Sequence, residues 1–257
     1  MPEIKLSALI ITYNEEANIS RCIKSLQPVA DEIVVLDSYS TDKTPEICRK
    51  LGVAFYQHAF DGYSNQKNRI IKYATHSYLL SVDADEVLSA ELQESILNLK
   101  NNWEADACEV VRCTQYLGKW IRHSGWYPDV KLRLWKKGKA RWSDSNVHER
   151  LELNRDSAVP TLSGDLLHYS YQSIDDHINQ INKFTRMGAE EDFKKQRTVL
   201  LLWHLLLAPV FFFWKRLIVE LGFLDGYPGF VLSVQNAYYK WLKYLKLYEL
   251  NRNRKKR

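Results

Sequence analysis

Over its first hundred positions the chain alternates apolar runs with stretches of helical periodicity. "LSALIIT" at 6–12 is apolar almost throughout, as a strand covered on both faces requires. "EEANISRCIKSL" at 15–26 spaces its apolar residues as a helix does. The pattern then repeats. "EIVVLD" (32–37) leads into a helix opened by "STDKTPEICRKL", "VAFYQ" (53–57) into a helix across "SNQKNRIIKYA", and "SYLLSVD" (77–83) is a fourth strand. This alternation predicts an α/β fold with a mostly parallel central sheet. Ligands of such sheets bind beyond the carboxyl ends of the strands. The polar clusters "TYNEE", "DSYSTD" and "DADE" fall at those ends.

Beyond residue 105 the pattern changes. "ADACEVVRCTQYL" reads as a strand and "VKLRLWKKGKARW" as a hairpin turning at Lys137–Gly138. Tyr116, Trp120, Trp126, Tyr127, Trp135 and Trp142 lie in and around them. From about 172 the pattern is helical. Its uncharged stretch Val199–Trp214 has 16 residues, short of the roughly 20 that span a bilayer. Within 240–257, Trp241, Leu242, Tyr244, Leu245 and Tyr248 form one helical stripe beside Lys240, Lys243 and Lys246. That is an amphipathic pattern suited to a membrane surface, or to a helix packed on the preceding domain.

Composition narrows the classes. A chain of 257 residues with 46% hydrophobic and 26% charged content is an ordered globular protein. Residues 240–257 hold eight basic residues and one acidic, so the net charge of +5 resides in the tail. A local anionic surface such as a membrane is expected, and nucleic acid is not. The start "MPEIKLSALIITYNEE" lacks signal-peptide features. Cys22, Cys48, Cys108 and Cys113 show no metal-type spacing and read as packing thiols.

The apolar run at 77–83 stops on two aspartates, Asp83 and Asp85. In an extended strand they point to one face and repel, unless a cation lies with them. The plain alternative is a solvated acidic turn ahead of a helix beginning near Ser89.

Taken together, "LIITYNEEANISRCIKSL", "IVVLDSYSTDKT", "NQKNRIIKYA" and "SVDADE" resemble the family-2 glycosyltransferases of the GT-A fold, over about residues 4–100. The later "GWYPDVKLRLW" and "VHERL" are similar to the branch of lipopolysaccharide-core β-1,4-glucosyltransferases, which act on an inner-core heptose. The resemblance implies a GT-A catalytic domain over 1–171. Its donor-binding half is 1–100 and its acceptor-side half 101–171, followed by a helical, membrane-associating region over 172–257.

It also implies roles. Asp37 would accept from the uracil edge of a UDP-sugar, with Tyr13 against the base and Thr12, Asn14 and Glu15 lining the pocket. Lys67 would contact the diphosphate, its alternative being an exposed helix lysine. Asp83 would face the ribose and the metal, and Asp85 would ligate Mg²⁺ or Mn²⁺, hard cations that take oxygen ligands. Glu149 stands where relatives carry an acidic pair and would be the base. The pair here is His148–Glu149, a departure from the pattern, and Asp129 is the competing base. His148 and His168 are open between a site contact and a structural histidine. Trp126, in the turn "GWYPD", would face the acceptor sugar. The implied enzyme is inverting and works at the cytoplasmic face of a bacterial inner membrane, attached as a peripheral or monotopic protein. The rivals are transfer to a polyprenyl phosphate and a non-catalytic sugar-nucleotide sensor or scaffold. The oligomeric state is left open.

Overall fold

The computed structural model describes residues 4–143, 150–153, 158–171 and 173–254. The chain divides into two compact units. The first comprises Met1–Cys113 and Asp129–Tyr169, the second Thr114–Pro128 and Ser170–Arg257.

The first unit is built on β1 (Leu6–Thr12), β2 (Glu32–Asp37), β3 (Ala54–Gln57) and β4 (Tyr78–Asp83). They run parallel in the order β3-β2-β1-β4. The crossovers carry α1 (Ile19–Leu26), α2 (Thr44–Lys50) and α3 (Tyr63–Ile70), as the alternation predicts. Strand β1 shows why its sequence is nearly all apolar. Leu6, Ala8 and Ile10 enter one core with Ile19, Ile23 and Leu26 of α1, while Leu9 enters a second core with Ile70 and Trp135. Each fully buried Leu or Ile contributes about 1.5–3 kcal/mol. All four cysteines are buried. Burial raises the Cys48 thiol to about 12 and the Cys108 thiol to about 11, so both are inert packing groups.

Beyond β4 the sheet turns antiparallel, through β8 (Asp129–Lys136), β6 (Ala107–Tyr116), β11 (Thr161–Tyr171) and β5 (Glu86–Leu88). Helix α4 (Ala90–Asn101) starts on the Ser89 side chain, which accepts from the Leu92 N–H. The expected hairpin is corrected in one respect. The chain does turn after Lys136, where Lys139 N–H donates to its carbonyl at 2.9 Å. However, β9 (Ala140–Trp142) pairs with β10 (Leu151–Leu153) in a separate two-stranded sheet, while β8 stays in the main one. Strand β11 was not foreseen, because its residues mix glycine, aspartate and histidine without clean alternation.

The second unit contains β7 (Lys119–Trp120), which pairs with the end of β6 at Gln115 and Tyr116. Its helices are α5 (Ile174–Lys194), α6 (Ala208–Trp214) and α7 (Gly226–Arg254), with π-helical turns Leu202–Leu207 and Lys215–Val219 flanking α6. The uncharged stretch ends at Trp214, but the helical run continues to Val219. That corrects the length expected, since Leu202–Val219 has 18 residues with mean hydropathy 1.5, enough by length and composition to cross a membrane. Helix α7 packs on α5. Lys243 pairs with Asp192 at 2.7 Å, and Lys246 donates to the Asn182 side chain and to Thr185. These tail lysines are engaged inside the unit.

Candidate active site

Register assembles the site. Along β1, Thr12 stands opposite Asp37 of β2 and Ile11 opposite Asp83 of β4. The polar residues closing three apolar strands therefore meet at one sheet edge. There the loop after β1 and the loop after β2 brace each other. The N–H groups of Asn14, Glu15 and Glu16 donate to Ser40 Oγ, Thr44 Oγ1 and Asp42 Oδ2 at 2.8–3.0 Å. Asn14 takes φ 54°, a left-handed conformation that asparagine tolerates, and its Oδ1 accepts from the Thr41 N–H. Asp37 is fully buried and accepts from Ser40 N–H, Ser40 Oγ and Gln57 Nε2. Tyr13, 58% exposed, presents its ring at the mouth of this rigid edge. Thr12 is buried, and its Oγ1 has no partner among the described residues.

Lys67 is not the exposed helix lysine that was its alternative. Its side chain is 6% exposed, its ammonium lies 2.9 Å from Asp83 Oδ1, and it sits 4.5 Å from the centre of the Trp142 ring. The other Asp83 oxygen accepts from Arg133 at 2.9 Å. Arg133 also reaches Glu86 Oε1 at 2.7 Å, and Arg112 stands 3.5 Å from that same oxygen. Arg112 then pairs with Asp129 at 2.8 Å, and Asp129 with Lys131 at 2.9 Å. One chain of alternating charge thus runs Lys67–Asp83–Arg133–Glu86–Arg112–Asp129–Lys131. At its centre Glu86 is 0% exposed, and an unpaired carboxylate there would be severely disfavoured. Burial by itself would raise the Asp83 carboxyl, but Lys67 and Arg133 override it and hold the group well below the usual range. Burial likewise opposes ionisation of Arg133, yet Glu86 and Asp83 push its pKa upward. Arg133 and Arg112 were missed by the sequence reading. The signal was an arginine between Leu132 and Leu134, at a position buried on an interior strand.

Contrary to expectation, Asp83 and Asp85 do not share a strand face. Strand β4 ends at Asp83, and Ala84–Asp85 form a tight turn into β5. The two carboxylates consequently separate, Asp83 toward Lys67 and Arg133, Asp85 toward His168, whose Nε2 stands 3.1 Å from Asp85 Oδ2. The turn is held by Tyr169 N–H donating to the Asp85 carbonyl at 2.9 Å. Glu15 lies in the same negative field. Burial first, and Asp85 and Asp42 after it, raise its pKa despite the Asn18 hydrogen bond.

Among the described residues no group of three or more His, Cys, Asp or Glu side chains is assembled to hold a metal. A dedicated protein cage is therefore absent from them. Mg²⁺ and Mn²⁺ on a nucleotide diphosphate need only one or two protein ligands, the phosphates and water supplying the rest. Asp85, a quarter exposed with one imidazole beside it, fits that smaller requirement.

Asp129 is poorly suited to act as a base. Burial would raise its carboxyl, but Lys131 and Arg112 outweigh burial and lower it, and both oxygens are engaged. Glu149 and His148 lie outside the described residues. The segment's two ends are fixed: Ser143 N–H donates to the Arg150 carbonyl at 2.8 Å, and Arg150 N–H to Ser143 Oγ at 3.1 Å. Asn68, next to Lys67 on α3, clamps the Trp142 backbone through both its N–H and its carbonyl. Trp126 belongs to the second unit. There it is half-buried against Tyr116, Tyr171 and His177 and lines a cavity of about 210 Å³ with Arg216, Gln235 and Asn236.

The model of the family described as Glycosyl transferase family 2 matches residues 7–155. An uncharacterised glycosyltransferase of Rickettsia typhi is 31% identical, across 96% of this chain and 88% of the relative. The lipopolysaccharide core biosynthesis glycosyltransferase LpsC of Rhizobium meliloti is 28% identical, across 97% and 94%. Among solved structures, S. aureus TarS in complex with UDP-GlcNAc aligns over 97% of this chain and 92% of that one, with 17% identity and TM-score 0.49.

Proposed function

The chain belongs to glycosyltransferase family 2, and from that premise we propose that it moves glucose from UDP-glucose to an inner-core heptose of lipopolysaccharide at the cytoplasmic face of a bacterial inner membrane. The observation carrying the donor half is the meeting of Asp37, Asp83, Lys67 and the Asp85–His168 pair at the carboxyl edge of β1, β2 and β4. The named role of the LpsC relative supports the acceptor.

In this reading the braced loops 12–16 and 37–44 form a preorganised nucleoside pocket. Asp37 is buried and bonded to Ser40 and Gln57, so it takes the uracil edge by exchanging its Ser40 bond for the base. Thr12, Asn14 and Glu15 line the pocket, and Tyr13 covers the base. Preorganisation matters because ordering these loops on binding would otherwise offset much of the contact energy. Arg133 keeps Asp83 ionised, leaving Asp83 competent to accept from the ribose. Lys67 turns its ammonium from Asp83 toward the diphosphate. Asp85, with His168, would hold Mg²⁺ or Mn²⁺, which when bound neutralises charge on the departing diphosphate. Glu149 removes the proton of the acceptor hydroxyl as that oxygen bonds to the anomeric carbon. The bond from that carbon to the UDP oxygen breaks on the opposite face. An α-linked donor then gives a β-glycoside.

The test is transfer in a purified system with UDP-glucose and isolated inner-core oligosaccharide. A hexose added to heptose supports the reading. Donor hydrolysis alone, or transfer only to a polyprenyl phosphate, would replace it.

A further inference from the structure

The second unit wears its apolar side chains outward. On the helical run from Leu202 to Val219, Trp203, Leu207, Val210, Trp214 and Ile218 recur every three or four residues and are about half exposed. That is one stripe of a helix. Only 6% of this 18-residue window is buried. On α7, Tyr227, Phe230, Val234, Tyr238 and Trp241 form a second stripe of the same spacing, also exposed.

The two helices lie antiparallel. Phe213 meets Phe230, Lys240 sits over Phe212, and His204 meets Tyr244. The turn between them is tight. Leu221 adopts φ 54°, and a Cβ on Gly229 would stand 1.9 Å from the Gly222 carbonyl oxygen, so only glycine permits that approach. The tip is polar and tied down. Asp225, 2% exposed, accepts from the N–H groups of Arg122 and His123 and from Ser124 Oγ.

We propose that these two stripes form one face that lies flat in the headgroup and acyl boundary of an anionic bilayer, without crossing it. Three features select a lipid surface. A soluble monomer rarely leaves so large a continuous apolar face uncovered. The stripes are rich in Trp and Tyr, whose amphipathic rings favour the membrane interface. Finally, between Leu200 and Tyr248 the sole carboxylates are Glu220 and Asp225. Glu220 pairs with Lys215 and Arg216, and Asp225 is buried. The face therefore meets anionic headgroups with no free negative charge. A spanning helix would carry the charged turn Lys215–Arg216 and the Asp225-bound tip across the hydrocarbon, which the in-plane placement avoids. Attachment through this face is apolar, and the engaged Lys243 and Lys246 add little to it.

The inference rests on the reading of a membrane-borne acceptor. Its test uses neither donor nor acceptor, so its failure would leave the transfer reaction standing. Full-length protein is mixed with phosphatidylethanolamine–phosphatidylglycerol vesicles at about 1 M salt, where screening reaches about 3 Å. Binding should persist. Trp203→Cys, Val210→Cys, Ile218→Cys, Tyr227→Cys, Val234→Cys and Trp241→Cys are each labelled with a fluorophore, the native cysteines being buried. Lipids quenching at known depths should report one shallow depth for all six. Val210→Asp and Phe230→Asp should each weaken vesicle partition at least about tenfold with unfolding temperature and UDP binding retained. Should either charged variant fail to fold, the cysteine series still decides. Depth that passes through the bilayer centre from Trp203 to Ile218 would overturn the proposal in favour of a spanning helix. Release by salt, or no partition with concentration-dependent dimers instead, would overturn it as well.

Discussion

The two compact units of this chain treat charge and apolar surface in opposite ways. In the first, apolar residues fill two cores on either side of β1, and carboxylates at the sheet edge sit in a chain of ion pairs from Lys67 to Lys131. In the second, Leu, Phe and Trp side chains face outward along two helices. The first arrangement is that of a site that binds a charged, water-soluble donor. The second fits the proposed lipid-facing surface. In the proposed reaction the first set of features serves the soluble donor and the second holds the enzyme where a lipid-borne acceptor lies.

The largest effect that separates the two regions is expected from Glu149→Gln. It preserves shape but cannot accept a proton, so transfer should fall by about 10²–10⁴-fold while UDP affinity and vesicle binding stay unchanged. If Asp129→Asn gave that pattern instead, the base assignment would move to Asp129 despite its two ion pairs. Next is Asp85→Ala, for which loss of metal-assisted charge neutralisation should cost about 10²–10³-fold, with the same loss on adding chelator to the unaltered protein. Undiminished turnover in excess chelator would sink the metal reading.

Arg133→Met tests the ion-pair chain itself. It leaves Glu86 buried and Asp83 half-compensated, so unfolding free energy should drop by about 3–5 kcal/mol, read by denaturant titration. An unchanged midpoint would mean the chain is not structural. The matching substitution on the outward face, Val210→Ser, should change stability by less than about 0.5 kcal/mol. A large loss there would mean the face is covered after all.

The smallest effect is in pH dependence. Burial lowers the His177 pKa from 6.5 to about 4. Between those values the unfolded chain binds a proton that the folded one does not. Stability of the second unit should therefore decline as pH falls through that window, and His177→Gln should flatten the decline. The depressed Asp83 carboxyl in the first unit has the same sign but a lower window. Its contribution is present above its ordinary value of 3.8 and is lost only as pH falls below it. Two separate acid transitions would sharpen the contrast between the units.

How far the sequence foretold this differs between the same regions. The runs at 6–12, 32–37 and 77–83 are strands because each apolar side chain has a core to enter, and their polar ends name the site edge. Asp37, Asp83 and Lys67 could be found that way. The Asp85–His168 contact could not, since it depends on β5 and β11 pairing 80 residues apart, and β11 has no clean alternation. Arg133 and Arg112 were hidden because a buried arginine is intelligible only once Glu86 is seen beside it. In the helices, the apolar stretch was evident but its direction was not. Periodicity marks a stripe without saying whether protein or lipid covers it.

The proposed reaction is transfer of glucose to an inner-core heptose with inversion. Its most direct test is nuclear magnetic resonance of the product formed by the purified protein from UDP-[¹³C]glucose and isolated inner core. One new hexose on heptose with β anomeric coupling is expected. An α-linked product, or labelled glucose released only into water, would contradict it.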